Sequence, residues 1–149
     1  MNTVERLMKT TPERVWSVLA DGWLYPLWVV GASRMREVDD SWPEVDARLH
    51  HSAGSWPLLI DDTTSVVEVQ PESMLKLRAR AWPGGEALVE LHLSEVGPNT
   101  MVTIEEDVVS GPARLVPKPL RSLGLKWRNV ETLRRLAYLA ERRADPSGP

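Results

Sequence analysis

Apolar and polar residues alternate, or run apolar at strand length, through six stretches of the chain: 34–38, 47–52, 60–69, 75–81, 87–93 and 101–109. A period of two marks a strand with one face buried. Turn-forming residues separate the stretches: Ser41-Trp42-Pro43, Gly54-Ser55-Trp56-Pro57, Pro71-Glu72-Ser73, Trp82-Pro83-Gly84-Gly85 and Gly97-Pro98-Asn99. The gaps are mostly short, which favours an antiparallel meander. A further strand is expected at Thr3–Met8. Behind it Thr11-Pro12-Glu13-Arg14 opens a helix, with Thr11 as cap, Pro12 in the first turn and Val15, Trp16 and Leu19 as apolar face. Asp21-Gly22 interrupts that helix, and residues 23–30 read as a second short helical turn ending at Gly31.

The last element has a different period. Leu120, Leu123, Trp127, Val130, Leu133, Ala137 and Ala140 recur at helical spacing, with Arg121, Arg128, Arg135 and Arg142 on roughly the opposite side. The order is strand, two helices, six strands, long helix. This is an α+β chain in which a seven-stranded antiparallel sheet has one apolar face to cover, and the terminal helix covers it.

Composition adds bounds. A chain of 149 residues, 42% hydrophobic and 26% charged, reads as one soluble domain over residues 1–144, with a disordered polar tail at 145–149. No stretch approaches the roughly 20 apolar residues of a membrane span. The start, MNTVERLMKT, lacks the apolar core of a signal peptide, and there is no cysteine. Both point to the cytoplasm and exclude a thiol nucleophile or a Cys-ligated metal. A net charge of −3 argues against nucleic acid as a partner. The charge is uneven, since residues 118–143 carry eight Lys or Arg against two Glu. The Arg stripe reads first as a solvated helix face, and second as a surface for an anionic membrane or partner. A homodimer is compatible with the sequence.

The order of elements, with TPERVWSVLADGWLYPLW at the first helix pair and KWRNVETLRRLAYLAER in the last helix, resembles the START/Bet v 1-like helix-grip superfamily (SRPBCC). Within it the chain is most similar to the bacterial polyketide cyclase/dehydrase-like branch. The similarity runs from about Thr3 to Arg143. It implies a strongly curved sheet wrapped around the C-terminal helix, with an internal cavity between them. Many members bind apolar small molecules, a minority are enzymes and some bind proteins, so the resemblance speaks to fold more than to activity.

Two Trp-Pro pairs, Trp56-Pro57 and Trp82-Pro83, fall on turns at one end of the meander, together with the link near Gly31 and the loop 111–119. The resemblance places the cavity entrance there. Proline holds the preceding Trp extended and so fixes where the indole leaves the chain. Trp56 and Trp82 are expected at the mouth of the cavity; as ordinary core they would plug that end instead.

Strand parity sorts the polar candidates. His50 and His51 are adjacent and point to opposite faces, so they cannot share a metal. His51 goes inward with Leu49, as a hydrogen-bonded core residue in preference to a catalytic base. His92 faces outward beside Glu90. One inward histidine supports no metal site. In the fourth strand Val67 and Val69 are expected to face in, which brings Asp61 to the inner side. In the seventh, Val102, Ile104 and Val108 face in and carry Glu106 with them. An inner-wall carboxylate must be paired, hydrated or protonated. For Glu106 the structural alternatives are an Arg partner across the sheet or a bulge that turns it out. Asp61 sits at a strand start, where parity is weakest. No nucleotide, flavin or zinc signature is present, so no cofactor is expected.

The leading reading is a cytoplasmic carrier or sensor for a small hydrophobic, cyclic molecule. Its pocket would be lined by Leu49, Val67, Val89, Leu91, Val102, Ile104, Leu123, Trp127 and Val130. Polar contacts would come from His51, Glu106 and Asp61. The second reading is a polyketide cyclase or dehydratase using the same cavity, with His51 or Glu106 moving protons. The third is a protein-interaction module, which requires a small or filled cavity and an exposed apolar patch.

Overall fold

The computed structural model describes residues 2–30, 32–53, 60–81, 85–111 and 115–142. Strand β1 (Asn2–Met8) leads into helix α1 (Pro12–Leu19). Thr11 caps α1, its Oγ1 accepting from the Arg14 amide at 3.3 Å. A 3-10 turn at Gly22–Leu24 and the one-turn helix α2 (Tyr25–Trp28) follow. Then come β2 (Ala32–Val38), β3 (Arg48–Ala53), β4 (Ile60–Gln70), β5 (Met74–Ala81), β6 (Gly85–Val96), β7 (Asn99–Ser110) and helix α3 (Lys118–Arg142).

The strands form one curved, open antiparallel sheet in the order β1-β7-β6-β5-β4-β3-β2. Together with the long C-terminal helix this is the helix-grip fold that the order of elements predicts. The meander runs from β2 to β7, and β1 adds to the far edge through pairs such as Val4–Ile104. Among the described residues no helix is long and apolar enough to cross a membrane.

Register defines the inner wall. Leu49, Thr64, Ala79, Ala87 and Val108 are successive cross-strand partners and form one row. The next row holds Val66, Leu77, Val89 and Glu106. Both rows need β4 in a parity opposite to the one its pattern suggests. Val66 pairs with Leu77 and Glu68 with Lys76, so Val67 is the extra residue of a bulge. The bulge resets the alternation: Thr64 and Val66 are buried, while Val67 is 37% exposed. The expectation that Val67 lines the interior is therefore corrected. Val69, beyond the bulge, does pack against the core.

The second half of α3 completes the core. Leu133, Leu136, Ala137 and Ala140 bury against Met8, Val15, Val18 and Leu19. Contacts of α3 run chiefly to β1, α1 and α2. The Glu141 carboxylate accepts from the Lys9 amide at 2.8 Å and ties the end of the helix to the end of β1. At the opposite end of the sheet from the 85–87 edge, Trp42 is buried and its Nε1 donates to the Leu19 carbonyl at 3.1 Å. That indole is a structural plug. Gly22 lies beneath it, and a Cβ there would come within 2.6 Å of Leu49 and 2.7 Å of Val38.

Candidate functional site

The first half of α3 stands off the sheet and leaves a cavity of about 370 Å³. Leu77, Ala79, Ala87, Val89, Ile104 and Val108 supply its sheet wall, Tyr25 and Trp28 one side, and Leu120, Gly124 and Leu125 the helix side. The methyls of Ala79 and Ala87 face each other across β5 and β6, which keeps that part of the wall recessed. Gly124 has no side chain to fill the gap, and a Cβ there would meet nothing within 4 Å. Gly85, at the open edge, has φ +102°, and an added Cβ would lie 1.9 Å from the Ser110 carbonyl oxygen. Only glycine fits that edge.

Two polar systems reach this apolar chamber. Glu106 on β7 is 3% exposed, and the Arg128 guanidinium, 38% exposed, bonds its carboxylate from α3. The partner comes from the helix and not from across the sheet. Arg128 lies on the inner side of α3, although its seven-residue spacing places it on the Arg face opposite the apolar stripe. The second system begins at Tyr25. Its hydroxyl hydrogen-bonds Thr64 Oγ1 at 3.2 Å, and the same oxygen pairs with His51 Nε2 at 2.8 Å. The Tyr25 and His51 rings also stack, with centroids 5.5 Å apart. Burial pushes the Tyr25 hydroxyl above its ordinary pKa, against the opposing pull of the Thr64 bond. Tyr25 is therefore a neutral hydroxyl on the cavity wall, held by a hydrogen-bonded pair behind it. Trp28 Nε1 and Asn129 Nδ2 are buried donors with no hydrogen-bond partner among the described residues. Both residues line the cavity, and a water or a guest's oxygen could satisfy either.

The expected site residues divide accordingly. Val89, Ile104 and Glu106 line the cavity. His51 is buried one layer behind it, against Tyr25 and Thr64. Leu49, Leu91 and Val102 are fully buried core, away from the cavity lining. Leu123, Trp127 and Val130 are 67%, 70% and 45% exposed and point away from the chamber, so their expected place in its lining is corrected. The helix turns Arg121, Gly124, Arg128, Asn129 and Thr132 inward in their stead. Asp61 falls in β4 opposite Ser52, but its side chain, like Trp56 and Trp82, lies outside the described residues. On the outside of the sheet His92 Nε2 meets Glu90 at 3.2 Å, and His50 Nε2 meets Asp39 at 3.1 Å. The Glu90 carboxylate also holds Lys76 at 3.2 Å. Glu90, His92 and Glu105 gather within 4.8 Å, yet the lysine is already bound in that group.

Tyr25, Trp28 and Asn129 are site residues that the pattern of the chain does not single out. Tyr25 and Trp28 lie in a Pro-broken segment with no strand or helix parity to read. Asn129 is a polar residue in the middle of an amphipathic helix.

The family model described as polyketide cyclase/dehydrase and lipid transport matches residues 3–141. No curated relative matches the sequence significantly. Among solved structures, a protein from Nitrosomonas europaea superposes with a TM-score of 0.73 at 17% identity, covering 94% of this chain and 93% of that one. The allergen Ara h 8.0201 gives 0.71 at 7% identity, over 95% of this chain and 97% of its own. The di-domain ARO/CYC StfQ of the steffimycin biosynthetic pathway gives 0.67 at 11% identity, over 95% of this chain and 51% of that one. At such identities the likeness is one of fold.

Proposed function

We propose that this chain, which belongs to the polyketide cyclase/dehydrase and lipid transport family, binds a small hydrophobic, cyclic ligand between its sheet and α3 as a cytoplasmic carrier or sensor. One observation carries the reading: the first half of α3 spans a hollow of about 370 Å³ instead of packing onto the sheet. That space would hold roughly 12 waters or a guest of roughly 15–20 non-hydrogen atoms. A ring compound suits it, because a rigid guest loses little internal freedom on binding. At about 0.3 kcal/mol per atom such a guest gains about 4.5–6 kcal/mol, a Kd of order 100 µM. Tyr25, Glu106 and Arg128 would orient its polar edge.

The test is native mass spectrometry of protein purified from its source, joined to titration with a panel of neutral ring compounds. Tryptophan emission reports binding, since Trp28 lines the cavity. A co-purified small molecule or saturable quenching is the expected outcome. An empty protein that no member of the panel quenches would refute the reading.

A cyclase or dehydratase reading draws on one contact, the Tyr25 hydroxyl linked through Thr64 to His51. It requires that Tyr25→Phe, His51→Ala or Glu106→Gln abolish turnover of a polyketide-like substrate while sparing its binding. Full turnover in all three variants would remove it.

A further inference from the structure

We propose that the outer face of the first half of α3 docks on an anionic lipid bilayer and brings the mouth of the cavity to the membrane. Leu120, Leu123, Trp127 and Val130 are 63%, 67%, 70% and 45% exposed. Their spacing of three and four residues puts Leu123, Trp127 and Val130 in one stripe on the side of the helix turned from the sheet, with Leu120 at its edge toward the cavity. A stripe of three aliphatic side chains and an indole is not the solvated face of an ordinary surface helix.

Charge selects the occupant. From Val108 to Val130 the chain has no Asp or Glu and five cations; Lys118 and Lys126 are exposed, whereas Arg121 and Arg128 turn into the cavity, and Glu131 just beyond is held by Arg134 and Arg135. Arg128 is met by Glu106 on the inside. A second copy of this chain seated on the stripe would set like charges against like charges, which disfavours a symmetric pair. An anionic bilayer complements both features. Leucines and an indole enter the headgroup boundary while the exposed Lys118 and Lys126 meet the lipid phosphates.

The stripe also continues into the cavity. Val116 and Leu120 are exposed on the surface and line the chamber as well, and Leu115 beside them is 86% exposed. A docked helix would let an apolar guest pass between cavity and acyl chains without crossing water. This use of the surface rests on the ligand-binding reading above; the docking itself is measured independently of it.

The experiment is co-sedimentation with two kinds of vesicle, pure phosphatidylcholine and phosphatidylcholine with roughly one lipid in three replaced by phosphatidylglycerol. The wild-type protein should pellet with the second kind and not the first. Salt should release it, because surface attraction is screened within a Debye length of about 8 Å at physiological ionic strength. Lys118→Gln and Lys126→Gln should each weaken binding about fivefold. Leu123→Glu with Trp127→Glu should abolish it, with an unchanged thermal melt because both side chains are exposed. Binding of the neutral dye N-phenylnaphthylamine should persist in that double variant, so loss of docking and failure of the cavity reading are told apart. Absence of binding to anionic vesicles, equal binding to both kinds, or insensitivity to salt would overturn the proposal. So would a wild-type dimer in sedimentation velocity that the double variant dissolves, since the face would then be a protein interface.

Discussion

Replacing Arg128 by Met tests the inner wall directly. The substitution keeps an unbranched apolar stem and removes the guanidinium that holds the Glu106 carboxylate. Glu106 is 3% exposed and shares its row with Val66, Leu77 and Val89, so the stranded charge faces an apolar surround. Breaking a buried pair from one side costs about 3–5 kcal/mol. Here Arg128 is 38% exposed and the cavity admits water, which reduces the cost to about 2–3 kcal/mol. For a domain of this size that lowers Tm by about 5–10 °C. The assay is urea unfolding followed by tryptophan emission, run on Arg128→Met, Glu106→Leu and the double variant. A pair replaced by apolar groups on both sides is often near neutral. The double variant should therefore lie within about 1 kcal/mol of wild type, and the cycle should return a coupling of about 2 kcal/mol. A loss under about 0.5 kcal/mol for Arg128→Met would place Glu106 in solvent. Strict additivity would mean that the two side chains do not interact, and either result would refute the wall as described.

Thr64→Val removes the shared oxygen between Tyr25 and His51 and should cost about 1–3 kcal/mol in the same urea assay, because two buried groups lose their bond at once. Gly22→Ala should destabilise by about 1–3 kcal/mol, since its Cβ would overlap Leu49 and Val38. Gly124→Ala should instead stabilise by up to about 1 kcal/mol, because it sits in α3 with open space around it. Arg134 and Arg135 hold the Glu131 carboxylate down at about 2 from an ordinary value of 4.5. A depressed carboxylate stabilises the fold above 4.5 and loses that contribution as pH falls toward 2. Glu131→Gln should therefore flatten the dependence of Tm on pH between those limits, and an unchanged acid limb would count against the ion pairs.

The element order was legible because turn residues and alternation agree along the chain. Thr11-Pro12, Pro71-Glu72-Ser73 and Gly97-Pro98-Asn99 each punctuate where a strand or helix changes. Faces were less legible. In β4 a single extra residue at Val67 reverses the parity behind it, and nothing in the VVEV stretch marks which valine bulges. In α3 one broad apolar arc meets two environments. Leu133, Ala137 and Ala140 meet the core, whereas Leu123, Trp127 and Val130 face outward, because the helix there bridges a hollow and its inner side meets open space instead of packed side chains. The same hollow explains why Gly124, Arg128 and Asn129 point inward. A helix pattern reports burial against solid core, and a cavity leaves no such mark. Glu106 was readable because β7 keeps its alternation from Thr100 to Glu106 without a break.

The account turns on whether the space between α3 and the sheet is open to a guest. Ala79→Leu with Ala87→Leu fills the recessed wall from both sides while leaving the outer face of α3 and the core under Trp42 untouched. The deciding measurement is fluorescence titration of N-phenylnaphthylamine into wild type and this variant, with circular dichroism to check the fold. The account predicts saturable binding of order 100 µM or tighter by wild type and none by the filled variant at equal helix and strand content. Equal binding by both proteins, or no binding by either, would contradict it.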